Sequence, residues 1–222
     1  MRWRMRVADL RGRGDYTNYA DRLGFIFIHI PKTGGIAVSS ALSTGGATHR
    51  TYRDYYYTNP HKFRRLFKFS VVRNPWDRLV SSYFFLQDGG ISEQDRNWAQ
   101  QNLSKYADFG DFVRGWVTEA NVMSWIHFVP QHHFIVNPAG KVMVDFLIRY
   151  EALADGFAIV ARRLGKGVVL PMINKSKHDH FTNYYDDETR EIVRRAYARD
   201  IELFGYDFDN GETRMKNITE RS

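Results

Sequence analysis

The sequence contains no cysteine, and it is poor in proline and glycine, with 6 and 17 residues among 222. Without cysteine, the chain has no disulfide bond, no Cys-ligated metal site and no thiol nucleophile. The low proline and glycine content excludes a collagen-like repeat.

The most apolar early run, residues 24–30, is much shorter than the roughly 20 residues that cross a bilayer. No apolar stretch follows the basic residues 1–15 as it would in a signal peptide. We therefore expect a cytoplasmic protein without a transmembrane segment.

The overall composition is that of a folded globular chain, with 43% hydrophobic and 26% charged residues, which excludes an intrinsically disordered protein. Lys and Arg number 32 against 25 Asp and Glu, which gives a net charge of +7. This excess favours anionic partners, among them nucleotides, acidic glycans and nucleic acid. At this length we expect one domain over residues 1–222, with a basic N-terminal segment (1–22) and a polar C-terminal tail (209–222).

Two continuous apolar runs rich in β-branched and aromatic residues, 24–30 and 67–72, predict strands that are buried on both faces of a parallel sheet. A short helical stretch, 36–43, follows the first run, and a helix that Asn74 caps and Pro75 begins follows the second. Further helices are expected over 92–128, 151–164 and 187–204, and a hairpin or edge excursion about 137–140. The alternation predicts a three-layer α/β/α fold with a central, mostly parallel sheet and a P-loop-like nucleotide-binding architecture.

The loop after the first strand, Pro31-Lys32-Thr33-Gly34-Gly35, has the composition of an anion-binding loop. Ligands of parallel sheets bind beyond the carboxyl ends of the strands. The glycines let the backbone approach an anion closely, the amides at the new helix point toward it, and Lys32 supplies a mobile positive charge. Because Lys32 precedes the glycines, the loop differs from the G-x-x-x-x-G-K-[ST] pattern of nucleotide triphosphatases. An ordinary glycine turn with a surface lysine is the alternative interpretation.

The loop after the second strand contains a second set of residue types that bind phosphate. Arg73 leaves the strand and is able to form a bidentate fork with a phosphate. Ser81 lies about 10 Å along the following helix, on the same face as Asn74 and outside the apolar stripe. These positions predict a phosphate site formed by Arg73 and Ser81. A capped helix with a polar outer face is the alternative.

In combination, PKTGG after one strand and FKFSVVRNPWDRLVSSY at the next resemble the sulfotransferases, in particular the carbohydrate branch that includes the heparan 2-O-sulfotransferases, in a short bacterial form. SWIHFVPQ (124–131), VDFLIRYEAL (144–153) and the ending 184–208 extend the resemblance over residues 24–208. The resemblance implies that 3′-phosphoadenosine 5′-phosphosulfate (PAPS) is the donor and 3′,5′-adenosine bisphosphate the product. It implies that the 5′ end of the donor is bound by Lys32, Thr33, Gly34, Gly35 and Ile36, and the 3′-phosphate by Arg73 and Ser81.

The resemblance also implies in-line transfer of a sulfuryl group to a hydroxyl acceptor, expected to be a carbohydrate, with no metal and no nucleic acid involved. Lys32 is expected to stabilise the leaving oxygen, and His49 to take the proton of the acceptor, with His61 or a carboxylate such as Asp54 as alternatives. His29, inside the first strand, is expected to be structural. Residues 174–177 fall where the family closes a loop over the nucleotide.

The sequence departs from the family pattern directly after the two glycines, where a hydroxyl residue is usual and this chain has Ile36. Thr33 and Ser39 are candidates to replace that hydroxyl. The departure favours, as the alternative function, a sulfotransferase-fold protein that has lost catalysis and binds glycan or nucleic acid. A P-loop-type kinase is a further alternative, against which the missing Walker lysine counts. The tyrosines at 52, 55, 56 and 57 either stack on sugar rings or cover the sheet, and oligomeric state is left open.

Overall fold

The computed structural model describes residues 2–10, 14–16, 19–46, 48–171 and 179–209. These residues form two compact units. The first unit contains the described residues up to Val72 together with 131–171, and the second contains 73–130 together with 179–209. The chain therefore leaves the first unit directly after its second strand and returns to it after residue 130. The expectation of a single domain over residues 1–222 stays a prediction.

The described residues contain three strands and twelve α-helices. The strands are β1 (Phe25–Ile28), β2 (Phe67–Val72) and β3 (Phe146–Arg149). The helices of the first unit are α1 (Arg2–Leu10), α2 (Ala20–Leu23), α3 (Gly35–Ala41), α4 (Tyr52–Thr58), α5 (Pro60–Arg65), α9 (His132–Ile135) and α10 (Leu153–Arg163). The helices of the second unit are α6 (Pro75–Gln87), α7 (Glu93–Asn102), α8 (Phe109–Trp116), α11 (Asp187–Ala196) and α12 (Ala198–Phe204).

The strands of the first unit form one parallel sheet in the order β1-β2-β3, with Phe27 paired to Phe69 and Phe69 to Phe146. β1 is buried along its whole length and β2 at five of its six residues, which explains why both runs are apolar without alternation. The buried Ser70 hydroxyl donates to the carbonyl of Ile28 at 2.6 Å and ties the two strands together. Helices of the same unit flank the sheet, so the predicted mixed α/β fold with a parallel sheet is confirmed.

The second unit consists of helices around an aromatic core. α8 buries Phe112 and Trp116, and their rings stack with centroids 5.1 Å apart. The helical character expected over 92–128 is present in α7 and α8, which are separate helices and do not cover the whole range. The side chains of Ser92 and Asp108 accept the amides three residues further on and thereby begin α7 and α8 separately.

The long C-terminal helix expected over 187–204 is divided into α11 and α12 at Tyr197. The Tyr197 hydroxyl donates to the carbonyl of Phe128 at 2.8 Å, a tertiary contact that helical periodicity does not contain. The expected end after residue 204 is confirmed, since Gly205 caps α12 with a left-handed φ of 64°. No helix in the described part of the chain has both the length and the apolar character needed to cross a bilayer.

The segment about residues 137–140 is less regular than a hairpin. The chain before it is helical, as α9, and one antiparallel bridge joins Val136 to Val142. The helix expected over 151–164 is present as α10, preceded by a 3-10 turn over Tyr150–Ala152. β3 and α10 therefore follow the strand–helix alternation of the first two strands.

Candidate functional site

β1 leads directly into the first candidate loop. Lys32 and Gly34 both have left-handed backbone conformations, with φ of 67° and 78°. Thr33 is fully buried, and its hydroxyl donates to the carbonyl of Ile30 at 2.9 Å, which closes the turn. A left-handed conformation costs a residue with a side chain about 1–2 kcal/mol, so the surrounding fold must hold Lys32 in place. Strain of this kind is concentrated at functional sites.

The two glycines of the loop are in close contact with side chains of the same unit. A Cβ on Gly34 would lie 2.9 Å from Cδ2 of Leu153 and 3.1 Å from Cε2 of Tyr150. A Cβ on Gly35 would lie 1.8 Å from Cδ2 and 2.1 Å from Nε2 of His29. Any other residue at either position would have to displace these neighbours. Packing therefore requires glycine at both positions. Tyr150 and Leu153 both lie in the 144–153 stretch that carries part of the resemblance, but no sequence pattern indicates their contact with the loop.

Ile36 presents to solvent a side chain that is 64% exposed. Of the two hydroxyls that could replace the missing one, that of Thr33 is committed to the carbonyl of Ile30. Ser39, one helical turn beyond Gly35, is 6% exposed, and its buried Oγ has no hydrogen-bond partner among the described residues. At position 36 the first loop therefore has a backbone amide that an anion could bind, but no hydroxyl.

His49 lies beside the first loop through its contacts with His29. The Nδ1 atom of His49 is 3.4 Å from the carbonyl oxygen of His29, and the centroids of the two imidazoles are 4.6 Å apart. His49 is half-buried. The structure thus brings together Gly35, His29 and His49. An imidazole in this position is suited to accept a proton near neutral pH.

The two alternative bases are placed differently. His61 is exposed on α5. Asp54 is part of a capping box at the start of α4, where one of its carboxylate oxygens accepts from the Thr51 amide at 2.7 Å and from the Thr51 hydroxyl at 3.0 Å. A carboxylate bonded in this way stabilises the helix end. Among the three candidates, His49 alone contacts a residue that packs on the first loop.

The four tyrosines of α4 divide into two pairs. Tyr52 and Tyr55 are 4% and 2% exposed and belong to the core. Tyr56 and Tyr57 are half-buried, with their rings edge to face at 5.5 Å, and the guanidinium of Arg64 lies over the Tyr56 ring at 5.8 Å. Covering the core thus accounts for the first pair, and the second pair retains surface for stacking on a sugar.

α6 carries the second candidate loop at its start. Asn74 caps the helix as predicted, with Oδ1 accepting from the Trp76 amide at 3.0 Å. Arg73 is 4% exposed, and its Nε and Nη2 donate to the two carboxylate oxygens of Asp77 at 2.7 Å each. This bidentate ion pair fixes the plane of the guanidinium and offsets much of its charge. Sequence reasoning missed the pair, although the spacing of four residues on a helix is the signal that could have found it.

Ser81 lies on the same face of α6 as Asp77, one turn further along. It is 7% exposed, and its hydroxyl makes no hydrogen bond to any other residue that the structure describes. The neighbouring Ser82, in contrast, donates to the carbonyls of Arg78 and His127 at 2.9 Å each. The Ser81 hydroxyl therefore has bonding capacity that no described residue uses.

Arg78 is a second buried arginine of α6, with a different role. Its Nη2 donates to the carbonyls of His127 and Val129 at 3.2 and 2.9 Å. Burial lowers the pKa of Arg78, while Tyr197 and Asp200 oppose the shift. Arg78 therefore holds the 127–129 segment in the core of the second unit.

The absence of a metal and the loop over the nucleotide are the remaining expectations. Within the ranges that the structure describes, no group of three or more His, Asp or Glu side chains is arranged to hold a metal ion. Residues 174–177 lie outside the described residues, as do residues 210–222 of the tail. The assignment of 174–177 to a loop over the nucleotide stays a prediction.

Comparison with known proteins identifies the family. The family model of the sulfotransferases matches residues 15–207. Human (Homo sapiens) carbohydrate sulfotransferase 10 is 23% identical over 190 residues, which cover 65% of this chain and 48% of the relative. Carbohydrate sulfotransferase 14 of Danio rerio is 24% identical over 177 residues, with coverages of 69% and 47%. The chain thus spans about half the length of these curated relatives. No solved structure matches. Because the family model covers both candidate loops and His49, and most of the chain besides, the chain belongs to the sulfotransferase family.

Proposed function

We propose that this protein transfers a sulfuryl group from PAPS to a hydroxyl group of a carbohydrate. The observation that carries the proposal is the cluster of Gly35, His29 and His49, in which a candidate base adjoins an anion-binding type of loop within one unit. Membership of the sulfotransferase family supports the donor. The two relatives described above are carbohydrate sulfotransferases, which supports the class of acceptor.

The first loop fits the 5′-phosphosulfate end of the donor. Left-handed conformations at Lys32 and Gly34 belong to the type of backbone that turns successive amides toward a bound anion. Lys32 adds a full positive charge to these partial charges. Thr33 contributes through its backbone, because its hydroxyl is bonded to Ile30.

The start of α6 fits the 3′-phosphate. The guanidinium of Arg73 is held in one plane by Asp77, and an oriented guanidinium loses little entropy when it binds an anion. The Ser81 hydroxyl is able to donate to a phosphate oxygen without giving up a bond to a described residue. These two groups distinguish a 3′,5′-bisphosphate from a 5′-phosphate.

The donor supplies an activated sulfuryl group when it is bound. The residues of the chain position the reactants and stabilise the charge that develops during transfer. His49 accepts the proton of the acceptor hydroxyl while the acceptor oxygen forms its bond to sulfur. Lys32 stabilises the negative charge that develops on the phosphate oxygen as the bond from that oxygen to sulfur breaks. The proton ends on His49, and both electrons of the broken bond remain on the bisphosphate.

A thermal-shift titration with 3′,5′-adenosine bisphosphate beside AMP, ADP and ATP tests the proposal. Ligand at 100 times its dissociation constant adds about 2.7 kcal/mol, which is roughly 5–10 °C for a chain of this size. We expect a shift with the bisphosphate and none with AMP, followed by transfer of labelled sulfate from PAPS to a member of a carbohydrate panel. A shift with ATP alone would support the kinase alternative.

The exposed Ile36 favours a second candidate, a sulfotransferase-fold protein without catalysis that binds glycan or nucleic acid. Absence of any nucleotide-dependent shift, together with salt-sensitive binding of a polyanion, would support this candidate and contradict the first. A cytoplasmic location stays a prediction, which fractionation of the source cells would test.

A further inference from the structure

His29 is the first residue after β1, and its side chain is buried among three groups of the first unit. The residue is 5% exposed. Its ring stacks on Phe27, with centroids 5.7 Å apart and an interplanar angle of 20°. The Cδ2–Nε2 edge of the ring lies against the backbone of Gly35, and the ring centroid is 4.6 Å from that of His49. One buried residue therefore contacts both the first loop and the candidate base.

We propose that His29 is a positioning residue, which fixes the place and the tautomer of His49 relative to the loop over residues 31–36. The inference rests on the proposed function, in which His49 accepts the proton. The contact between Nδ1 of His49 and the carbonyl oxygen of His29 requires a proton on Nδ1, since a carbonyl only accepts. Nε2 of the neutral ring then carries the lone pair that receives the acceptor's proton.

The 3.4 Å distance in this contact is long for a hydrogen bond between N–H and O. Hydrogen bonds of catalytic groups are often long in the free enzyme and shorten when substrates bind. The carbonyl alone therefore holds His49 weakly, and the ring contact between the two imidazoles adds to the constraint. The His29 ring is itself confined, because Phe27 packs on it and the Gly35 backbone blocks its edge.

A fixed distance between loop and base matters for this chemistry. In-line transfer requires the base, the acceptor oxygen and the leaving group to be aligned, and a misplacement of about 1 Å is able to reduce the rate by a factor of about 100. His29 connects the elements that must be aligned, because the same ring touches Gly35 and His49. A residue that only filled the core at the end of β1 would have no effect on the tautomer of His49.

The tautomer is measurable without any donor. In protein labelled with nitrogen-15 histidine at pH 8, where an ordinary histidine is neutral, the His49 signals are assigned by their loss in His49→Gln. We expect wild-type His49 to carry its proton on Nδ1. His29→Ala keeps the carbonyl of residue 29 but removes the ring that holds His49 against it, so the proton should shift toward Nε2. His29→Gln, which keeps more of the buried volume, provides a second variant if His29→Ala does not fold. An unchanged tautomer in the folded variant would overturn the proposal.

The contact with Gly35 is tested by a double-mutant cycle. Gly35→Ala alone should lower the melting temperature and abolish turnover, because its Cβ would lie 1.8 Å from Cδ2 of His29. In the His29→Ala background the same substitution should cost little stability, since the space is vacant. Equal losses in both backgrounds would show that the His29 ring does not set the position of Gly35.

Kinetics separate positioning from general structural damage. His29→Gln should reduce kcat by a factor of about 10–100 and leave the dissociation constant of 3′,5′-adenosine bisphosphate within about threefold of the wild type. In a His49→Ala background it should reduce kcat no further, because its effect passes through His49. If His29→Gln lowers kcat by the same factor in the His49→Ala background as in the wild type, the proposal is contradicted. If the wild type binds no bisphosphate, the proposed function fails first, and the tautomer measurement still decides whether His29 holds His49.

Discussion

The guanidinium of Arg73 is bonded at both Nε and Nη2 to the carboxylate of Asp77, with each distance 2.7 Å. Asp77 lies on the face of α6 that also carries Ser81, one turn on. The candidate 3′-phosphate site thus contains an acidic residue between its two proposed ligands. The ion pair orients Arg73 but opposes a second anion by charge, so Arg73 and Asp77 have to be tested together.

Loss of the Arg73 charge should weaken binding of the 3′-phosphate specifically. Arg73→Ala alone would leave the partly buried Asp77 carboxylate, whose side chain is 17% exposed, without its partner, which destabilises the fold because an uncompensated charge remains. The double variant Arg73→Gln/Asp77→Asn replaces the ion pair by two neutral amides and avoids that destabilisation. We expect calorimetry to show bisphosphate affinity reduced roughly 10–100-fold, as for loss of a hydrogen bond to a charged group.

The control is AMP, which lacks the 3′-phosphate. Its affinity should be the same in the wild type and in the double variant. If the double variant keeps its affinity for the bisphosphate, Arg73 does not bind the 3′-phosphate.

Ser81→Ala should weaken ligand binding without destabilising the fold, and its neighbour Ser82→Ala should destabilise the fold without weakening ligand binding. Ser81 is 7% exposed and its hydroxyl makes no hydrogen bond to a described residue, so its removal should leave the melting temperature unchanged. Ser82 donates to the carbonyls of Arg78 and His127, so Ser82→Ala should cost about 1 kcal/mol of stability. Binding of the bisphosphate should fall about tenfold in Ser81→Ala alone. Equal ligand affinity in both variants would exclude Ser81 as a ligand-binding residue.

Restoring a hydroxyl at position 36 should strengthen binding of the donor. Ile36 is 64% exposed, so Ile36→Thr removes no core packing. A new hydrogen bond to a phosphate or sulfate oxygen should add about 1.4 kcal/mol, or a factor of about ten in bisphosphate affinity. Ile91→Thr is the matched control, since Ile91 is 72% exposed in the second unit. If Ile91→Thr raises the bisphosphate affinity equally, or if Ile36→Thr does not raise it, position 36 does not lie beside the 5′-phosphate.

The effect of Lys32 on backbone strain should be separable from the effect of its charge on catalysis. Lys32 and Ser43 are the residues other than glycine with positive φ in the described chain, at 67° and 54°. Glycine at either position relieves strain of about 1–2 kcal/mol but costs about 0.5–1 kcal/mol of chain entropy. We therefore expect Lys32→Gly and Ser43→Gly each to raise the melting temperature by about 2 °C.

Only Lys32→Gly should abolish sulfuryl transfer, because only that variant loses the charge at the leaving oxygen. Lys32→Ala should lose turnover without the gain in stability. Retained turnover in Lys32→Gly would end the assignment of Lys32 to the leaving group, whatever its effect on melting.

The sequence predicted best what depends on neighbours along the chain. The buried runs at 24–30 and 67–72 predict β1 and β2 because a strand covered on both faces shows no alternation. The cap at Asn74 predicts the start of α6 because it involves only the next two residues. The prediction of one helix over 187–204 was wrong at Tyr197. There α11 ends, at a residue whose hydroxyl makes a hydrogen bond to Phe128, which is distant in sequence.

The candidate site was predicted as residue types and not as contacts. The clash that would follow from a side chain at Gly35, and the contact of His29 with His49, depend on how the irregular segment before α4 returns to the end of β1. No periodicity describes such a segment. The Arg73–Asp77 pair was also missed, although its helical spacing was readable in the sequence. The roles of Lys32, His49, Arg73 and Ser81 stay predictions.

Buried tyrosines should limit the stability of the fold at alkaline pH. Burial raises the pKa values of Tyr16, Tyr19, Tyr55 and Tyr197 above the usual value near 10. In the unfolded chain these hydroxyls would ionise at about pH 10, whereas in the folded chain they keep their protons to higher pH. The unfolded state then binds fewer protons, so their contribution to stability is fully present below about pH 10 and is lost as the pH rises toward the folded values.

Melting temperatures measured from pH 8 to 11.5 should be level at first and then fall. Tyrosinate absorbance near 295 nm should rise together with unfolding, because these hydroxyls become accessible only then. Tyr197→Phe is the diagnostic variant: it removes one ionisable group and the bond to Phe128, so its melting temperature should start lower and fall less steeply with pH. A steep fall of the same slope in Tyr197→Phe, or full ionisation of these tyrosines in the folded state, would show that their burial does not set the alkaline limit.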